Sequence, residues 1–237
     1  MISLCRRCLF GAVSLVLTAL LIGCASDSPA SPTSTPTPTL SFTKSPTFTP
    51  IPTWTPYATP TKAAVSPELA ARAAALGRGV NLGNALEAPV EGEWGMVLEA
   101  DFFVLISDAG FDTVRVPIRW SAHAADTAPY AVDADFFARI DWVIDQSLAN
   151  DLNVVINMHH YEELFDDPEA HDDRFVAIWH QIAERYEPRP DTLYFELLNE
   201  PHGNLDAGRW NALMARTIET VRAVDDQHTL VLTSADW

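Results

Sequence analysis

A chain of 237 residues with 48% hydrophobic and 10% aromatic side chains can bury one sizeable core. Its formal net charge of −17 argues against nucleic acid and anionic membrane surfaces, both polyanions, and fits a neutral or cationic substrate. Cys5, Cys8 and Cys24 all lie near the start, so the body carries no disulfide and no thiolate metal site and must fold on its apolar core.

The first element is an export signal over residues 1–24. Arg6 and Arg7 precede an uncharged apolar run, Leu9 to Ile22, which is too short for a membrane span. It ends in Leu21-Ile22-Gly23-Cys24, which resembles the lipobox of bacterial lipoproteins, so Cys24 is the expected lipidation site and new N-terminus. An ordinary signal peptide that happens to contain cysteine is the bland alternative. Residues 25–65 are rich in Pro, Thr and Ser and nearly free of charge. Proline at this density prevents helices and sheet ladders, so an extended tether is expected, of which about 35 residues at about 3.1 Å each reach on the order of 110 Å.

Residues 66–237 have globular composition. Ser66-Pro67-Glu68 predicts a capped helix running to Leu76. A strand–helix unit then repeats. Strands are predicted over 77–84, 111–120, 152–160, 192–200 and 228–237. Helices are predicted over 95–109, 134–149, 173–186 and 207–224. The strands are continuous apolar runs, the pattern of parallel strands covered on both faces. This alternation predicts an α/β fold, either a β/α-barrel or a doubly wound sheet. GVNLGN lacks the spacing of a dinucleotide fingerprint, and no glycine-rich phosphate loop follows any strand.

Each predicted strand ends in polar groups: Asn81, Asn84 and Glu87; Arg115, Arg119 and Trp120; His159 and His160; Asn199 and Glu200; Asp236 and Trp237. In a β/α-barrel these ends converge on one face, where the active site lies. Each residue also has a structural reading. Asn84 beside Gly83 suits a turn, and Glu200 alone suits a helix cap. Arg115, inside the apolar TVRVPI, must be paired, because an unpaired buried charge is very costly. Adjacent strand residues face opposite ways, which weighs against His159 and His160 sharing a metal. A carboxyl at the end of a buried strand is expected to be partly desolvated and held protonated, which suits acid catalysis on a glycosidic oxygen.

YFELLNEPHG (194–203), with NVVINMHHYEE, TVRVPIRW and GVNLGNALEAP, resembles glycoside hydrolase family 5, the cellulase family of clan A, over about residues 77–237. The resemblance implies a (β/α)8 TIM barrel, here cut after about five strands. It implies that Glu200 is the general acid/base and that Asn199 binds the 2-hydroxyl of the sugar being cleaved. Arg115 would pair with and orient the nucleophile, and His159 and His160 would line the sugar site. Asn84 and Glu87 would contact sugar hydroxyls on the non-reducing side, with Pro117 in the same wall. Trp120 and Trp237 offer faces for sugar stacking or belong to the core.

Family 5 enzymes are retaining and need a second glutamate about 5–5.5 Å from the acid. In the family it ends strand seven, and none of Glu87, Glu162 and Asp236 matches that position. A full barrel takes about 250 residues, so five eighths would take roughly 155, and the expectation is a truncated reading frame without the nucleophile. The expected protein is an exported, envelope-anchored lipoprotein, monomeric, touching the membrane only through its lipid. It would be an endo-β-1,4-glycanase on β-glucan or mannan, needing no metal and no cofactor, the fragment itself being inactive. The rival expectation is a non-catalytic carbohydrate-binding surface lipoprotein.

Overall fold

The computed structural model describes residues 65–235. The predicted signal, Cys24, the tether, and Asp236 and Trp237 at the other end lie outside the described residues.

Helix α1 (Pro67–Ala75) starts as its sequence dictates: Pro67 takes the first turn and the Ser66 hydroxyl accepts from Leu69 N–H at 3.1 Å. Then come β1 (Gly79–Asn81), α2 (Ala100–Asp108), β2 (Thr113–Val116), a 3-10 turn (Trp120–His123), α3 (Ala134–Ala149) and β3 (Asn153–Asn157). The chain continues through α4 (Glu162–Asp166), α5 (Pro168–Tyr186), β4 (Leu193–Glu196), α6 (Ala207–Arg222) and β5 (Thr229–Val231). The five strands form one parallel sheet in sequence order, with Arg115 level with both Asn81 and Val155, and Asn157 level with Glu196. The alternatives left by the sequence thus resolve to the barrel type, since a doubly wound sheet would reverse its strand order.

The residues of β4 are all buried and those of β2 and β3 nearly so, as continuous apolar runs require. The sheet's outer strands are wetter: β1 alternates exposed and half-buried residues, and β5 is half-buried throughout. Phe136, Ile140, Val143 and Ile144 of α3 and Phe175, Ile178, Trp179 and Ile182 of α5 pack onto the sheet in one apolar core. Aspartates cap α3 and α6: Asp133 accepts from Asp135 and Phe136 N–H (2.7 and 3.0 Å), and Asp206 from Arg209 N–H (2.9 Å). Helix α1 lies at the N-terminal ends of the strands. Its Ala75 and the adjoining Leu76 present carbonyls to Asn153 (2.9 Å) and Thr113 (2.6 Å), and Arg72 meets Asp191 at 3.2 Å.

The strands are shorter than the apolar runs that predict them. The run over 192–200 leaves the sheet at Glu196 and that over 152–160 at Asn157, because beyond these points the backbone turns out toward the loops. Helix α2 begins at Ala100 rather than residue 95, where Gly95 sits at φ 82°. Helix α5 begins at Pro168, earlier than residue 173, because Asp167 and Pro168 form a cap-and-first-turn signal; α4 precedes it unforeseen.

Candidate active site

The C-terminal strand ends are held side by side by single backbone bonds that extend the ladder. Leu82 N–H donates to Arg115 O (2.8 Å), His159 N–H to Ile118 O (2.8 Å) and Asn199 N–H to Met158 O (2.9 Å). Arg115, Asn199, Glu200, His159 and His160 therefore gather at one end of the sheet, where Arg115, Glu196, Asn199 and Glu200 line a cleft of about 440 Å3 with Thr233 and Ser234.

Arg115 is the hub. Its Nε and Nη2 donate to the two oxygens of Glu196 at 2.6 Å each, its Nη2 also reaches Asn199 Oδ1 at 2.9 Å, and its Nη1 reaches Asn81 Oδ1 at 2.9 Å. This fork-to-carboxylate pairing is the strong geometry for a guanidinium in a poorly hydrated place. The sequence requires a partner for Arg115 but looks for it in a distant nucleophile. The partner is Glu196, the one charged residue of YFELL, facing Arg115 two strands away. The charge is therefore not stranded by the open sheet.

Asn199 presents its carbonyl oxygen to Arg115, which leaves its amide nitrogen as the donor of the side chain, without a partner among the described residues. Glu200 follows with φ 46°, in the left-handed region that non-glycine residues rarely adopt, and immediately before Pro201, which restricts it further. The partial burial expected for its carboxyl is not found. Glu200 is exposed, because it stands on a loop four residues past the strand end and points into the open cleft.

His159 is half-buried and its ring stands 4.8 Å from that of His160, edge to face. Burial, with the positive Arg115 and then His160 nearby, pushes His159 down to about 4, so it is neutral at ordinary pH. The buried Asn157 amide lies 3.1 Å from His159 Nδ1 and 3.3 Å from Glu196 Oε1. Behind the histidines, the buried Arg174 donates to the carbonyls of Ser121 (2.8 Å), Ala124 (2.6 Å) and Ala125 (3.0 Å) and to the Tyr161 hydroxyl (3.1 Å). It ties the loop after β2 to the loop after β3.

In the β1–α2 loop, Asn84 is exposed at φ 66°. Glu87 is 4% exposed, unlike the sugar-facing group expected of it. Its carboxylate accepts the Asn84 N–H and, at 2.9 Å, the Ala85 N–H, so it holds the turn that presents Asn84. A Cβ on Gly83 would stand 3.1 Å from Asn81 Nδ2 and 3.3 Å from Glu87 Oε1, a tight fit that a side chain here would have to push apart. Pro117 is buried in the wall beside Arg115. Trp120 is core: fully buried, with its indole N–H donating to Asn157 O at 3.0 Å. Trp237 lies outside the described residues. An aromatic the sequence reading passes over, Trp94, is 44% exposed and stands edge-on to His160, ring centroids 6.0 Å apart. Its loop is anchored by Glu91, which accepts from Arg139 Nε and Nη2 (2.8 Å each) and from Leu98 N–H (2.9 Å).

Five parallel strands in sequence order, with helices between them and polar side chains gathered at their C-terminal ends, define an α/β chain of the TIM-barrel type. The chain belongs to glycosyl hydrolase family 5, the cellulase family, whose description matches residues 77–237. Endoglucanase H of Acetivibrio thermocellus is 35% identical over 162 residues, covering 68% of this chain and 18% of that protein. Endoglucanase A of Ruminococcus albus is 34% identical over 158 residues, 62% of this chain and 43% of that protein. Structures of Cel5A from Thermotoga maritima, in complex with cellobiose and with mannotriose, match with TM-score 0.70 at 53% and 52% identity, over 70% of this chain and 54% of Cel5A. The chain thus spans less than half of the two endoglucanases and about half of Cel5A.

Proposed function

We propose that this chain carries the acid/base side of a retaining endo-β-1,4-glycanase acting on β-glucan or β-mannan. The observation that carries the reading is the Arg115–Asn199–Glu200 arrangement in the cleft: a fixed amide next to a carboxyl that has no hydrogen-bond or ion-pair partner among the described residues. Glu200 protonates the leaving glycosidic oxygen and later takes a proton from the attacking water, while the Asn199 amide donates to a hydroxyl of the same sugar. Glu196 is not the attacking group, because both its oxygens are held by Arg115 and it is only 5% exposed. The nucleophile comes from residues outside these five strands. Both glucan and mannan are kept as substrates because Cel5A is described in complex with cellobiose and with mannotriose.

The test is hydrolysis of carboxymethyl-cellulose and β-mannan by the chain alone and by a complete barrel built on it, with the anomeric form of the first product read by proton NMR. The complete barrel should release the β-anomer, and Glu200→Gln should lose activity on polysaccharide while sparing the first step on substrates with good leaving groups. An α-anomeric first product, or full cellulase activity in Glu200→Gln, overturns the reading. We infer also that the protein is a lipid-anchored exported lipoprotein processed at Cys24. Globomycin and Cys24→Ala should each leave the precursor uncut, and processing unaffected by either overturns this.

A further inference from the structure

The Asn157 side chain is fully buried and has no freedom in how it is read. Its Oδ1 lies 3.2 Å from the backbone N–H of Ile118, which can only donate, so that atom must be the carbonyl oxygen. The other atom is therefore the NH2 group, with two hydrogens to place. One goes to Glu196 Oε1 at 3.3 Å, a carboxylate already oriented by Arg115. The other faces His159 Nδ1 at 3.1 Å. A donor facing Nδ1 demands an acceptor there, so Nδ1 carries no proton and the neutral ring carries it on Nε2. Among the described residues, Nε2 of His159 has no hydrogen-bond partner.

We propose that Asn157 is a positioning residue that holds His159 in the neutral Nε2–H tautomer, so that the half-buried ring offers a hydrogen-bond donor at Nε2 and never a base. The chain of constraint is continuous: Ile118 N–H fixes the Asn157 amide, the amide fixes His159, and Glu196 ties the same amide to Arg115 and through it to Asn199. Protonation of His159 is opposed from two sides, by the Arg115 guanidinium across the sheet and by His160 beside it, and Nδ1 faces the Asn157 donor. That the donor meets a sugar oxygen rests on the function proposed above. The tautomer itself does not, and it is measured without substrate or turnover.

The experiment uses the full chain labelled with 15N and observed by NMR, with His159→Gln assigning the ring among the seven histidines. Three results are expected. The Nδ1 resonance has the shift of an unprotonated nitrogen from pH 5 to 8. A scalar coupling passes through the hydrogen bond from Asn157 Nδ2 to His159 Nδ1. In Asn157→Ala, where the donor to the neutral ring is gone, the coupling disappears and the His159 midpoint rises by about half a unit to one unit. A proton on Nδ1 in the unaltered chain overturns the proposal. So does an unmoved midpoint in Asn157→Ala while the other histidine resonances stay in place. Should Asn157→Ala fail to fold, the coupling in the unaltered chain decides, and its absence overturns the proposal.

Discussion

Glu196→Gln removes the charge from the Arg115 pair and keeps the shape. In the native pair both Arg115–Glu196 bonds are 2.6 Å, with the Glu196 side chain 6% and the Arg115 side chain 28% exposed. Removing one partner of a fully buried pair costs about 3–5 kcal/mol, because the other charge is left without compensation. Arg115 is partly wetted and keeps the Asn81 and Asn199 oxygens, so the expected loss is smaller, about 2–4 kcal/mol. For a domain of this size that lowers the melting temperature by roughly 5–15 °C. Urea unfolding followed by far-UV circular dichroism measures it, in a cycle of Glu196→Gln, Arg115→Met and the double variant. The double variant should be less damaged than the sum of the two, since it leaves no lone charge. If Glu196→Gln costs less than about 0.5 kcal/mol, or if the two losses simply add, the pair is not the hub described here.

Three further outcomes are expected. Burial pushes the Glu91 carboxyl up, but the bonds from Arg139 and Leu98 N–H outweigh it and hold the carboxyl below its ordinary value. Its stabilisation is therefore complete above the unfolded carboxylate value and lost as pH falls through the folded one, so the urea midpoints of the native chain and Glu91→Gln should differ at pH 7 and converge in acid; a gap that persists in acid would contradict this. If Trp94 is a stacking face beside His160, Trp94→Ala should weaken cello-oligosaccharide binding by about 5- to 30-fold in calorimetry and Trp94→Phe by much less, whereas an unchanged Kd removes Trp94 from the site. Leu82, Met96, Leu98, Phe102, Leu105 and Ile106 line an apolar groove of about 290 Å3 at the β1 edge, with Leu105 63% exposed. The chain should bind a hydrophobic dye there, and Leu105→Glu should remove most of that fluorescence; dye binding that ignores the substitution places it elsewhere.

The fold was largely legible in the sequence because parallel strands buried on both faces leave unbroken apolar runs, and α3 spans the predicted 134–149. The strand ends were less so. Apolar side chains continue past the last ladder bond into loops that are themselves buried, as at Leu197 and Leu198, so hydrophobicity alone runs on to Glu200. At the site, the residue types at the strand ends announced themselves, but their partners did not. Glu196 is the one charge in β4, yet only the register that sets β2 and β4 on either side of β3 brings it to Arg115. Glu87 looked like a binding carboxylate because its sequence position says nothing about which way a turn folds its side chain. Asn157, inside an apolar run, and Trp94, in a loop without periodicity, carried no signal that separates them from ordinary core and surface.

The docking of α1 bears on how the chain is made. Each strand pairs with the strand synthesised just before it, so every βα unit can add to a sheet already in place as it leaves the ribosome. Helix α1 is the exception. It is the earliest of these elements to emerge, yet Arg72 reaches Thr229, 157 positions later, at 3.5 Å, and its carbonyl accepts from the Tyr194 hydroxyl at 3.1 Å. None of its residues is buried. Until β4 and β5 have been translated it lacks these partners, and nine residues are too few to hold a helix in water unaided. Its end can meet Thr113 and Asn153 earlier, but the element that is read first completes its contacts only when β5 has been made.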